Sequence, residues 1–302
     1  MVNSFMAREI NVTFPAKHSL GSLYSAGRAF PHQRKWVGDA KGSVNLSLED
    51  DKLLGIALGQ LGTDGFSSMA TEDLAKINSL DFSASYFNDK TAQSASVLAD
   101  SMPRLLELRF DFLKVTNREL QAASHFHSLQ TLWLTGTDLT DDLIGSVCSQ
   151  NNIVNLVLKK TRITDGGMTQ LKSMPNLQTL NLPSQISDPG LSILAQFPAL
   201  QRLDVSFTAI SDNGLVPLKA LTTLQELYVN DNKLTDSVMP HIAKIGSLTT
   251  IFLSGTQISD AGLEYLQEMP MLEHLELRDT RVTENGVSRL RQKMPKCAIF
   301  GP

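Results

Sequence analysis

The stretch TQISDAGLEYLQEMPMLEHLEL, Thr256–Leu277, decides the fold, because its parts return along the chain at a nearly constant distance. Its last third carries the pattern L-x-x-L-x-L as Leu272/Leu275/Leu277. The same pattern stands at Leu105/Leu108/Phe110, Leu129/Leu132/Leu134, Ile153/Leu156/Leu158, Leu177/Leu180/Leu182, Leu200/Leu203/Val205, Leu224/Leu227/Val229 and Leu248/Ile251/Leu253. Successive copies start 24 residues apart, with one step of 23 after Leu177. Ile77/Leu80/Phe82 is a further copy, 28 residues before the next, and Leu53/Ile56/Leu58 is a worn one before it. A fixed period of this length marks a repeat architecture.

Each copy has three parts. The alternating apolar end of L-x-x-L-x-L suits a short strand. A turn follows, as in TGTDLTD, KKTRITD, SFTAISD, SGTQISD and RDTRVTE. Apolar residues then recur every three or four positions, as in Met168, Leu171 and Met174 or Leu263, Leu266 and Met269, which predicts a helix. Pro175, Pro198, Gly246, Pro270 and Pro295 mark helix ends.

A hydroxyl residue precedes an acidic one in every turn: Thr140-Asp141, Thr164-Asp165, Ser187-Asp188, Ser211-Asp212, Thr235-Asp236, Ser259-Asp260 and Thr283-Glu284. The hydroxyl is expected to accept from a free N–H at the helix start, a cap worth about 1 kcal/mol. The acid is expected in the first turn, against the positive end of the helix dipole. A recurring Ser-Asp pair resembles catalytic machinery, but a cap must recur in every repeat and an active site need not.

These motifs, over roughly residues 77 to 299, resemble those of leucine-rich repeat proteins. The closer resemblance is to the variant T-x-I-[ST]-D-x-G-L-x-x-L of bacterial proteins, including planctomycete ones, and of eukaryotic F-box-associated repeats. Where the family pattern holds Asn, this chain has Thr137, Thr161, Thr208, Thr256 and Thr280, Ser184 in the short copy and Asn232 in another. In the family that side chain bonds to turn backbone, so a structural role is implied. The resemblance implies an α/β solenoid with a curved parallel sheet on its concave face and short helices on its convex face. One repeat cannot bury its own apolar side, so the array must stack into one cooperative core. Nine strands at the usual spacing would span roughly 40 Å.

Residues 1–76 do not follow the repeat cleanly. INVTF (Ile10, Val12, Phe14) and VNLSL (Val44, Leu46, Leu48) alternate as strands do, and LEDDK between Leu48 and Leu53 reads as a turn. A β-containing N-terminal cap over 1–76 is expected, with repeats and a short C-terminal cap over 77–302, because an open solenoid end exposes its core and a strand edge. At the other end Cys297 and Ile299 read as a last truncated strand.

Within L-x-x-L-x-L the leucines face the core, and the residue between the last two points outward. That column reads Asp81, Arg109, Trp133, Val157, Asn181, Asp204, Tyr228, Phe252 and Glu276. The column before it reads Ser79, Glu107, Thr131, Asn155, Thr179, Arg202, Glu226, Thr250 and His274. Large apolar residues in outward positions call for an explanation. Trp133 with Val157, and Tyr228 with Phe252, form two neighbouring pairs expected about 14 Å apart. A partner-binding surface is expected on the concave face, drawing on Arg109, Trp133, Val157, Asn181, Arg202, Asp204, Glu226, Tyr228, Phe252 and Glu276. The competing explanation is that neighbouring side chains on a sheet simply stabilise one another.

The remaining chemistry is sparse. Among 302 residues, 27 Lys plus Arg against 31 Asp plus Glu give a net charge of −4, which provides no electrostatic reason to bind nucleic acid or an anionic membrane. Cys148 and Cys297 lack a C-x-x-C partner, so neither a disulfide framework nor a zinc site is expected. Cys297 reads as a small buried residue, since no base accompanies it. No signal-length or membrane-spanning apolar run is present. His125 and His127 lack companion ligands and read as a surface pair. VNDNKLTD lacks the Gly and Glu of a calcium loop. No phosphate loop, H-E-x-x-H or G-x-S-x-G occurs. The expectation is a cytoplasmic, monomeric, non-enzymatic module without cofactor or catalytic residues that binds an unidentified protein. A ubiquitin-ligase substrate receptor, or a bacterial mimic of one, is the second reading. An enzyme with its site at the junction of the cap and the first repeats is the third.

Overall fold

The computed structural model describes residues 7–14, 21–27, 34–41, 43–49, 52–58, 69–82 and 99–302. The chain packs as two compact units, 1–138 and 139–302. This division follows packing density, whereas the expected boundary at 76/77 follows the start of the repeat pattern.

In the first unit, β1 (Ala7–Thr13) pairs antiparallel with β4 (Ser43–Glu49). β2 (Gly21–Gly27) lies antiparallel between β3 (Arg34–Asp39) and β5 (Lys52–Leu58). From β5 onward the pairing turns parallel, through β6 (Ser79–Asp81), β7 (Glu107–Arg109) and β8 (Thr131–Trp133). β5 matches β6 in the repeat register, with Ile56 opposite Leu80, so the worn copy Leu53/Ile56/Leu58 supplies a strand like the rest. The two strands expected before Leu53 are β1 and β4. β2 and β3 were not expected, because neither GSLYSAG nor RKWVGD alternates cleanly. The turn expected over LEDDK includes Asp50 and Asp51, which lie outside the described residues.

In the second unit, β9 (Asn155–Val157), β10 (Thr179–Asn181), β11 (Arg202–Asp204), β12 (Glu226–Tyr228), β13 (Thr250–Phe252), β14 (His274–Glu276) and β15 (Ala298–Phe300) pair in parallel, each with the next. Ile299 stands in register with Leu275, as expected of a last truncated strand, and Cys297 is buried just before it. The central leucines, Leu132 in the first unit and Leu180 and Leu227 in the second, are fully buried, each contributing roughly 1.5–3 kcal/mol of apolar burial. Helices of successive repeats pack side by side behind the strands.

Those helices are short. Asp165–Leu171 and Asp188–Leu191 are α-helical, but Asp212–Ala220, with Pro217 inside it, and Glu264–Glu268 are 3-10 helices. A repeat of 23 or 24 residues leaves little chain for the return leg, and the 3-10 form covers more length per residue.

Thr164, Ser211, Thr235, Ser259 and Thr283 each accept a hydrogen bond from a backbone N–H of the helix that follows, as expected of caps. Two expected caps fail. Ser187 makes no capping bond, and no helix starts at Thr140, where the chain turns before a helix at Ile144–Cys148.

The acids of these turns do more than face a helix dipole. Asp141, Asp165, Asp188, Asp212, Asp236 and Asp260 each reach the hydroxyl residue one repeat ahead. One carboxylate oxygen accepts from its backbone N–H at 2.8–2.9 Å, and the other from its hydroxyl at 2.5–2.8 Å. The motif glycine follows from this contact. A Cβ on Gly214 would stand 2.2 Å from Asp188 Oδ1, and one on Gly286 would stand 2.1 Å from Asp260 Oδ1.

The family's Asn position behaves as the resemblance implies. Thr137, Thr161, Thr208, Thr256 and Thr280 donate their hydroxyls to the carbonyl three residues back, at 2.6–2.8 Å. Asn232 donates to the carbonyls of Val229 and Val205 and accepts from the Thr208 N–H, tying two repeats together. Ser184, in the short copy, is exposed and makes no such bond. The residue before this position takes the left-handed conformation, with φ of 54–62° at Phe112, Lys160, Phe207, Asp231 and Asp279.

Candidate recognition surface

In the second unit, the face of the sheet turned away from the helices carries two adjoining clusters. Arg202 grips Glu226 with a two-point fork, Nε to Oε2 at 2.6 Å and Nη2 to Oε1 at 2.5 Å. The Tyr228 hydroxyl donates to the same carboxylate at 2.8 Å. The Tyr228 ring then stacks on Phe252, with centroids 4.6 Å apart and planes 15° from parallel. The bond to Glu226 raises the pKa of the Arg202 guanidinium, and burial raises that of the Tyr228 phenol. Both side chains therefore keep one protonation state across the physiological range. Arg202 and Glu226, from neighbouring strands, thus hold the Tyr228 hydroxyl, and the Tyr228 ring carries Phe252.

In the second cluster, Lys159 Nζ contacts Asp204 Oδ1 at 2.9 Å and the Ser206 carbonyl at 3.0 Å, and Asn181 Nδ2 donates to Asp204 Oδ2 at 3.2 Å. Glu276 stands opposite Phe252 in the register, with Arg278 Nε 3.6 Å away. The structure therefore joins Arg202, Glu226, Tyr228 and Phe252, and separately Asn181 and Asp204. It adds Lys159 to the second group and Phe300, 49% exposed, next to Glu276 in register. Phe300 follows from extending the Leu275 register to Ile299, and Lys159 lies two residues beyond Val157 of the column that carried the aromatics.

Two of the named residues do not present surface. Val157 is 5% exposed and Arg109 7% exposed, both buried despite their outward columns. Arg109 lies in the first unit, where its Nε meets Glu107 Oε1 at 2.6 Å and its guanidinium covers the Trp133 ring at 3.5 Å from the centroid. Trp133 is half-buried beneath it.

Arg109 is part of a buried polar network that sequence reading missed. Tyr24 meets Ser79 at 2.6 Å, Arg34 pairs with Asp81, and Arg109 reaches Asp111 at 3.5 Å. Burial raises the Glu107 carboxyl above its ordinary pKa, with Arg109 opposing the shift. Register arithmetic alone does not reveal this network, because Tyr24 and Arg34 come from strands outside the repeat.

The other candidate groups stand apart. His125 and His127 are exposed. Both thiols are buried, and burial raises Cys297 to about 11. Among the described residues no three His, Cys, Asp or Glu side chains group as a metal site, and no helix is long and apolar enough to cross a membrane.

A leucine-rich repeat family model matches residues 198–219 and 220–237. Among curated proteins, no sequence matches significantly. Two solved structures from Listeria monocytogenes are similar. Internalin C2 shares 25% identity over 71% of this chain and 84% of its own, with a TM-score of 0.50. The internalin inlF shares 17% identity over 82% of this chain and 85% of its own, also with a TM-score of 0.50. The chain has a leucine-rich repeat fold, similar to that of Listeria internalins.

Proposed function

We propose that the chain is a non-enzymatic protein-recognition module and that the open sheet face of its second unit grips the partner. The observation that carries this reading is the Tyr228–Phe252 stack, held by Glu226 and Arg202 in the middle of a polar surface. Aromatic anchors ringed by polar groups dominate the energetics of protein interfaces. Fixing their pose beforehand removes part of the ordering cost of association. Solenoids of stacked repeats offer extended binding surfaces of this kind. The contact set is Asn181, Arg202, Asp204, Glu226, Tyr228, Phe252 and Glu276, with Lys159 and Phe300 added. In the same reading, residues 1–76 cap the first end of the array, and the buried thiols fit a reducing compartment such as the cytoplasm.

The test is affinity capture from native lysate with the wild type, Phe252→Ala and Tyr228→Ala, each first shown to be folded by circular dichroism. Loss in both variants of a protein that the wild type retains supports the reading. Equal capture of that protein by all three removes the surface assignment.

A further inference from the structure

The Tyr228–Phe252 stack has one open side. The two rings lie 4.6 Å apart, close to the strand spacing, and 15° from parallel, so both planes stand across the row of strands. Tyr228 on β12 covers one face of Phe252, and the other face turns toward β14. The residue opposite Phe252 there is Glu276, and beyond it on β15 stands Phe300, 49% exposed. Ring, carboxylate and ring thus follow one another in one column. Two strand spacings separate Phe252 from Phe300, about 10 Å, so a cation between them lies about 5 Å from each, inside the usual reach of a cation–ring contact.

In the first unit the chain fills such a place from within. The Arg109 guanidinium lies 3.5 Å from the Trp133 ring centroid while its Nε meets Glu107 Oε1 at 2.6 Å. The Arg34 guanidinium lies 4.1 Å from the Tyr24 centroid while it pairs with Asp81. Each time a ring and a carboxylate hold one arginine together. Opposite Trp133 the register sets Arg109, whereas opposite Phe252 it sets Glu276. The second unit therefore offers the ring and the carboxylate, and among the described residues no arginine or lysine lies over Phe252. Arg278 does not complete the set. It is 65% exposed, and its Nε stands 3.6 Å from Glu276 Oε1, beyond hydrogen-bond reach. The Ser254 hydroxyl, at 3.4 Å, approaches that same oxygen, and Glu276 Oε2 makes no hydrogen bond among the described residues.

We propose that the recognition surface of the second unit takes an arginine side chain of its partner, seated between Phe252 and Phe300 with Glu276 as its counter-charge. Stacked on Phe252, the guanidinium stands above β14 and turns its N–H edge to Glu276 Oε2. A planar fork can stack on a ring and pair with a carboxylate at once, which a lysine ammonium cannot. This inference rests on the recognition reading above and names the chemistry of the partner.

The probe is the peptide acetyl-Gly-Arg-Gly-amide, set against its lysine and citrulline counterparts and titrated by NMR into protein with isotope-labelled phenylalanine rings. The arginine peptide is expected to shift the ring signals of Phe252 and Phe300 and to bind at least about threefold more tightly than either counterpart. Glu276→Gln and Phe300→Ala are each expected to weaken it at least about threefold, and Arg278→Ala, which removes a nearby like charge, to tighten it. Equal binding of a counterpart, no shift at Phe252, unaltered binding to Glu276→Gln or weaker binding to Arg278→Ala overturns the proposal. Capture from native lysate separates this inference from the reading beneath it. A protein lost by Phe252→Ala but kept in full by Glu276→Gln leaves the recognition surface standing and removes the arginine site. A protein kept by both variants removes the surface itself.

Discussion

Asp188 accepts two hydrogen bonds from Ser211 of the following repeat, from its backbone N–H at 2.8 Å and its hydroxyl at 2.5 Å. Gly214 leaves the room in which that carboxylate lies. The acid, the hydroxyl residue and the glycine of the repeat motif are therefore three parts of one contact between neighbours. Asp188→Ala leaves the Ser211 N–H without this acceptor and should cost roughly 2 kcal/mol in urea unfolding. Gly214→Ala should cost a similar amount by expelling the carboxylate. Added to Asp188→Ala, the same glycine change should be neutral or slightly stabilising, since the obstacle is gone and Ala favours a helix. Additive losses in the double variant would show that the two residues act separately.

Asn232 ties two repeats through three backbone groups, whereas Thr256 bonds a single carbonyl within its own turn. Asn232→Ala should therefore destabilise by roughly 2–3 kcal/mol and Thr256→Val by about 1 kcal/mol, following the number of buried groups left unpaired. Thermal unfolding of both variants checks the ranking, and a larger loss for Thr256→Val would contradict it.

Phe207 holds a left-handed backbone at φ 60° while its side chain is 64% exposed. An L-residue pays about 1–2 kcal/mol in that conformation, more than the extra chain entropy glycine loses. Phe207→Gly should then leave stability unchanged or raise it by up to about 1 kcal/mol. Gly255→Ala, at φ 69° and with Asp231 Oδ1 only 2.3 Å from the new Cβ, should lower it. Denaturant midpoints of the two variants should move in opposite directions or, at the least, only the second should fall.

Glu107 is 1% exposed, and burial raises its pKa above the ordinary 4.5 despite Arg109. A raised folded pKa means that the unfolded chain ionises first. The stability linked to this group is complete below about pH 4.5 and declines as pH climbs through the folded value. Glu107→Gln should flatten that decline in a pH series of unfolding free energies. A wild-type curve that rises over the same interval, and to the same extent in the variant, would contradict the assignment.

The repeat was legible because its signal is redundant. Leu132, Leu180, Leu227 and their companions recur in one register, so any single irregular copy changes little, and each was found buried. The Tyr228–Phe252 stack followed from the same register, since neighbouring strands set residues of one column side by side. What escaped had non-periodic causes. The Asp-to-hydroxyl rungs link residues 22 or 23 apart, and local reading saw only a helix cap within each repeat. β2 and β3 have no alternating pattern, so the strands that bring Tyr24 and Arg34 over Ser79 and Asp81 left no mark in the sequence.

The recognition surface is tested most directly by photocrosslinking. A photoreactive phenylalanine analogue is placed at Phe252 on the open sheet face, or at Gln267, which is exposed on the helical side of the same unit. After irradiation in native lysate, the account predicts a discrete protein adduct from position 252 that is absent from position 267. The same adduct from both positions, or an adduct from 267 alone, would contradict it.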